Sequence, residues 1–204
     1  MKDKNLYFSA LALSTLFAFT ACAAESGQVA EPSSSVHDSG HHASSAPATE
    51  SGAANSADMS FASGMKAHHQ QALDMSEDLL SKEDIPQEVR ELAEKIKSAQ
   101  GPEIELMNSW LADWKMPQGM DHGQMNHGDG MISDEDIAAL KKAEGTSAAR
   151  LFLQQMITHH EGAVDMAKTE VDQGSDAEAI KLSKNIIEDQ NREIQEMKEL
   201  LSGL

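Results

Sequence analysis

The stretch FASGMKAHHQQALDM at residues 61–75 returns 91 residues later as FLQQMITHHEGAVDM at 152–166. Phe61, Met65, His68, His69, Ala72, Asp74 and Met75 reappear as Phe152, Met156, His159, His160, Ala163, Asp165 and Met166. A second block follows at an offset of 90: Ile96, Gln100, Glu103, Ile104, Met107 and Leu111 recur as Ile186, Gln190, Glu193, Ile194, Met197 and Leu201. So many matches with one register slip mark a duplicated unit. Within each copy the apolar positions step by three and four. Phe61, Met65, His68, Ala72, Met75 and Leu79 share one helix face, and so do Val89, Leu92, Ile96, Gln100, Glu103 and Met107. Each copy is therefore a helix hairpin. The first closes through 81–85, ahead of Pro86, a residue suited to a helix start. The second closes through 172–175, with Gly174 as its stop. Ser133-Asp134-Glu135-Asp136 reads as the cap of a short helix ending near Gly145. Two hairpins predict an all-α four-helix bundle with an internal pseudo-two-fold.

The rest of the chain is an address and a spacer. Residues 1–21 have Lys2 and Lys4 before an uncharged run from Leu6 to Ala21, the pattern of a secretory signal. The run is short for a membrane span. It ends at Phe19-Thr20-Ala21-Cys22, which resembles a lipobox. Cys22, the only cysteine, is thus the expected lipidation site of an exported protein facing the periplasm or cell exterior, the alternative being an ordinary signal peptide cleaved near Ala21 or Ala24. Residues 22–57, with nine Ser and no Lys or Arg after Cys22, read as a disordered tether reaching roughly 30 Å. His37, His41 and His42 lie in it, either as solvated spacer residues or as a weak metal-collecting patch. The net charge of −18 excludes nucleic acid as a partner and leaves acyl chains, not a basic patch, as the membrane anchor.

Composition adds the chemical bias. The chain holds 12 Met and 9 His against one Cys and eight aromatic residues. A carboxylate-bridged di-iron bundle needs Glu three residues before an inward His on two helices. Here Met65 precedes His68 and Met156 precedes His159, a soft pairing suited to Cu(I) or Ag(I). Met75 and Met166 lie two turns further along the same faces. Heptad methionines are also ordinary core filler, so packing competes with ligation for these positions. His69 and His160 sit about 100° round from their neighbours, placed either to ligate or to support. Gln100, Glu103, Gln190 and Glu193 are equally open: ligands, or hydrogen-bond partners of the histidines.

Between the hairpins, connector 116–131 carries Met116, Met120, His122, Met125, His127 and Met131 among four glycines. No core pattern explains exposed, oxidisable thioethers there, so this segment is a second candidate Cu(I) site.

The string M-x2-H-H-x2-A-x2-M, followed by I-x3-Q-x2-E-I-x2-M-x2-[WL]-L, resembles the bacterial family called domain of unknown function 305, over residues 58–203. The resemblance implies a ferritin-like four-helix fold, export, and a link to copper binding and resistance. The family tends to carry Asp three residues before the motif Phe. Asp58 fits, but Ala149 stands at that place in the second copy. The expected function is a tethered, non-catalytic copper-binding protein for buffering, transport or resistance, with Cu(I) favoured. Its expected partners are copper ions, the membrane through Cys22 and a copper-handling protein. A ferritin-like metalloenzyme and a metal-free structural or partner-binding bundle are the competing readings.

Overall fold

The computed structural model describes residues 53–115 and 130–204. The signal, Cys22, the spacer histidines and Met116, Met120, His122, Met125 and His127 lie outside the described residues. Five helices run in order: α1 (Ser56–Leu80), α2 (Gln87–Asp113), α3 (Asp134–Lys142), α4 (Gly145–Gln173) and α5 (Ala177–Gly203). The long helices form the two expected hairpins, α1–α2 and α4–α5, and α1 packs against α4. None of the described helices is long and apolar enough to cross a membrane.

Local chemistry sets the boundaries. The bundle starts at Ser56, two residues before the expected 58, because Asn55 caps it. The Asn55 side chain accepts from the amides of Ala57 and Asp58, and Asp58 accepts from the Asn55 amide in return. Ser133 caps α3 through Asp136, as expected. That helix ends at Lys142, however, and Gly145 opens α4 with φ +53. Gly174 does end α4, in extended backbone (φ −68) and not the left-handed turn usual for glycine. Glycine is needed there because a Cβ would overlap the Glu170 carboxyl. Pro102 sits inside α2 without breaking it, its residue facing solvent.

α1 and α4 run antiparallel. The Asn55 side-chain amide donates to the Gln173 backbone carbonyl at one end, and the rings of His68 and His159 meet at the middle. His68 and His159 are repeat equivalents, so their contact lies where a two-fold relating the halves must pass. The core falls into two clusters on either side of this contact. One holds Met75, Leu79, Ala149, Phe152, Met156 and Met197, and the other holds Phe61, Met65, Met107, Ala163, Ala167 and Ile186. All twelve are essentially buried, which bears out the inward stripes.

Candidate metal centre

His68, His69, His159 and His160 are all fully buried, in one layer between the two core clusters. The paired histidines lie on adjacent helix positions and so diverge. His68 and His159 point at each other, with ring centroids 3.6 Å apart and planes tilted by 34°. His69 and His160 point outward to the second helix of their own hairpin. There His69 Nε2 lies 2.7 Å from Glu103 and His160 Nε2 lies 3.0 Å from Glu193. Of the two possibilities the sequence left for these glutamates, hydrogen bonding is the observed one. Glu193 also lies 3.7 Å from Lys95 of α2, joining the hairpins. Gln100 and Gln190 are buried on the same stripes, and both polar atoms of Gln100 and the Gln190 oxygen lack partners among the described residues.

A neutral imidazole donating Nε2–H to a carboxylate keeps a bare lone pair on Nδ1. Nδ1 of His69 and of His160 is buried and takes no hydrogen bond among the described residues. Both ring nitrogens of His159 are likewise without a bond of good geometry. Burial holds His159 well below the ordinary imidazole range, and the neighbouring His68, His160 and His69 add to this, against a weak opposing contact with the His68 backbone. Burial also lowers His160. Glu193 opposes that shift, and His69 adds to it. His159 and His160 are thus pushed toward the neutral imidazole, the form that binds metal.

Thioethers flank the layer symmetrically. Met65 and Met107 from the first repeat share a cluster with Met166 from the second, which packs on it from a partly exposed position. Met156 and Met197 from the second repeat share the other cluster with Met75 from the first. Each group thus draws on both repeats. Among the described residues, no three His, Cys, Asp or Glu side chains gather as a metal-holding group. The soft donors of this interior are thioether sulfur and imidazole nitrogen, types that suit a soft monovalent metal.

The described end of the connector returns across the α1–α4 seam close to this layer. Gly130 (φ +77) presses onto α4 so closely that a Cβ would lie 2.7 Å from Gly162 Cα and 2.9 Å from the Thr158 carbonyl. Ile132 is then held by α1, its amide donating to the Gln71 side-chain oxygen (2.8 Å) and its carbonyl accepting from the Gln71 amide (3.0 Å). Met131 lies between these two anchors and is half-buried.

A buried acid pair was only half visible in the sequence, which singled out Asp58 but not Glu170. Asp58 is fully buried and accepts from the backbone amides of Asn55, Ser175 and Asp176 and from the Ser175 hydroxyl. It ties the start of α1 to the turn before α5. Burial raises its pKa, but the bonds from Asn55, Glu170, Asp176 and Ser175 together outweigh this and hold it low. Beside it Glu170 is pushed up to about 8, first by burial and then by Asp58 and Asp176. The repeat alignment carried the signal, since Glu170 stands where the first copy has the core residue Leu79.

The profile of the family described as domain of unknown function (DUF305) matches residues 58–201. The chain belongs to the DUF305 family. It is 32% identical to a DUF305 fragment from Deinococcus radiodurans, with a TM-score of 0.67 over 74% of this chain and 99% of that one. A DUF305 protein from Streptomyces coelicolor matches at 34% identity and TM-score 0.68, over 72% and 93% of the two chains. CopM in its Cu(I)-bound form matches at 35% identity and TM-score 0.59, over 72% and 96%. CopM has also been solved with Cu(II) and with Ag. No curated protein sequence matches the chain.

Proposed function

We propose that this chain is an exported, lipid-anchored protein that binds Cu(I), and Ag(I) by the same chemistry, to buffer or carry the metal outside the cytoplasm. The observation that carries the reading is the layer of four buried histidines between two methionine groups, in which His69, His159 and His160 each keep a ring nitrogen without a hydrogen bond among the described residues. Leaving such nitrogens unpaired in a core costs about 1–3 kcal/mol each. A packing role alone gives no return for that cost, whereas a soft cation would satisfy them. The metal-bound forms of CopM support the same reading. His68, His159, Met65, Met156, Met75 and Met166 are the proposed bundle donors. His69 and His160 offer Nδ1 while their glutamates fix the tautomer. The connector residues Met116, Met120, His122, Met125, His127 and Met131 form the second proposed station. Lipidation at Cys22 would hold the protein at the membrane, and a copper-handling partner would receive the ion.

The test is anaerobic Cu(I) titration against a competing chelator. Three proteins are compared: wild type, a variant with Met120, Met125 and Met131 changed to Leu, and a His68→Leu/His159→Leu variant. Each variant is expected to lose part of the wild-type capacity. Wild type that takes up no copper would sink the proposal. Capacity unchanged in one variant would assign the ion to the other station. Iron bound on purification would favour the ferritin-like metalloenzyme instead.

A further inference from the structure

The repeat places two equivalent clefts on the bundle, one beside each member of the Met75–Met166 pair, and the chain treats them differently. Beside Met75 the space is about 210 Å³. It is lined by Gln71, Asp74, Met75 and Asp78 of α1 and roofed by Asp134, Ile137, Leu140 and Lys141 of α3. Leu140 is buried there, and Met75 is only 2% exposed. Beside Met166 the cleft is about 500 Å³ and opens between α1 and α4, lined among others by Ser60, Phe61, Asp165, Met166, Thr169 and Glu170. No described helix roofs it, and Met166 is partly exposed on its wall.

Met166 also reaches inward. Its methyl lies against Gly64 of α1, where a Cβ would come within 3.0 Å, and the side chain packs on the cluster holding Met65 and Met107. The equivalent of Gly64 is Gln155, which instead donates to the Asp136 carbonyl and fastens α3. Glu170 lines the same cleft one helical turn from Met166. It is 1% exposed and lies against Asp58, with which it shares a carboxyl–carboxyl hydrogen bond. A thioether continuous with the buried methionines thus shares a cleft wall with one member of a buried acid pair.

We propose that the α1–α4 cleft is the port through which a soft monovalent cation enters the bundle, with Glu170 and Met166 as its first donors. α3 closes the equivalent route at Met75. The ion would meet carboxyl oxygen and thioether sulfur at the wall and pass to the Met65–Met107 group and then the histidine layer. The inference rests on the soft-metal reading above and adds a direction to it.

The experiment follows Ag(I) loading, since silver needs no reductant. Full-length protein with Met116, Met120, Met125 and Met131 changed to Leu and His122 and His127 changed to Ala removes the connector station and reports the bundle. Stopped-flow transfer of Ag(I) from a weak chelator is compared with Ser60→Trp, which fills the exposed cleft wall and leaves every donor in place, with Met166→Leu and with Met75→Leu. Ser60→Trp is expected to slow loading at least tenfold with final capacity unchanged, and Met166→Leu is expected to slow it more than Met75→Leu. Wild-type rates in Ser60→Trp, or equal slowing by the two methionine variants, would overturn the port. A bundle that takes up no silver at all would instead overturn the metal reading beneath it. Methionine oxidation by peroxide, read by mass spectrometry, checks access without metal. Met166 should oxidise well ahead of Met75, and equal rates would overturn the port on their own.

Discussion

The two ends of the α1–α4 pair are related by the internal two-fold, yet they differ at the positions that matter. At one end the equivalent residues are Leu79 and Ala149, both in the core beneath α3. At the other they are Glu170 and Asp58, a buried acid pair beside an open cleft. Two more substitutions share the logic. Gln71 holds Ile132 at the closed end, while its equivalent Gly162 gives way to Gly130. Gln155 fastens α3, while its equivalent Gly64 makes room for Met166. Duplication supplied two identical hairpins, and divergence at these pairs gave one end a lid and the other a mouth. The histidines and inward methionines between them kept their identity in both copies.

Breaking the acid end should have the largest effect. Asp58→Ala would leave three backbone amides without their acceptor, at about 3–5 kcal/mol in urea unfolding at pH 7. A loss below about 1 kcal/mol would mean that Asp58 is not what ties α1 to the α5 turn. Leu140→Ala breaks the lid. Leu140 is buried at 1% exposure, so a loss of about 3 kcal/mol is expected, with Met75 newly open to peroxide. A protected Met75 in that variant would mean that the lid has another fastening. Gly130→Ala attacks the connector where it crosses α4. With φ at +77 and a Cβ only 2.7 Å from Gly162 Cα, it should cost about 2 kcal/mol.

Much of this was legible in the sequence because duplication leaves a strong signal. The 91-residue offset places both hairpins, and period-3.6 spacing identifies the inward faces of Met65, His68 and Met75. The glutamate partners of His69 and His160 were visible as one of two alternatives, since a stripe position says that Glu103 faces inward but not which atom it meets. The asymmetry was not read, although half of it was available. Ala149 stands opposite Asp58 in the repeat alignment, and Leu79 stands opposite Glu170. What α3 covers could not be read, because a nine-residue amphipathic helix with one buried leucine fits several grooves equally well. Its place depends on single bonds from Gln71, Gln155 and Lys82, which have no periodicity to announce them.

The smallest expected effect is conditional on pH, and it isolates the acid pair. In the folded chain Glu170 is raised from 4.5 to about 8. The unfolded chain therefore releases this proton near pH 4.5 and the folded chain holds it until about 8. The favourable contribution of the neutral acid is fully present below about pH 4.5 and is lost as pH rises through about 8. Glu170→Gln keeps the neutral shape and cannot ionise. Its melting temperature should match wild type at pH 4 and exceed it by an amount that grows across this window and levels off above pH 8, on the order of a few degrees. Asp58 moves the other way: held low, it stabilises above its ordinary range and ceases to do so in acid. Leu79→Glu places the same carboxyl at the closed end, where Ala149 offers no acid partner and α3 excludes water. It should cost more than Glu170→Gln gains, at every pH above 4.5. Equal and opposite effects at the two ends would mean that burial alone, and not the pairing with Asp58, sets the behaviour of Glu170.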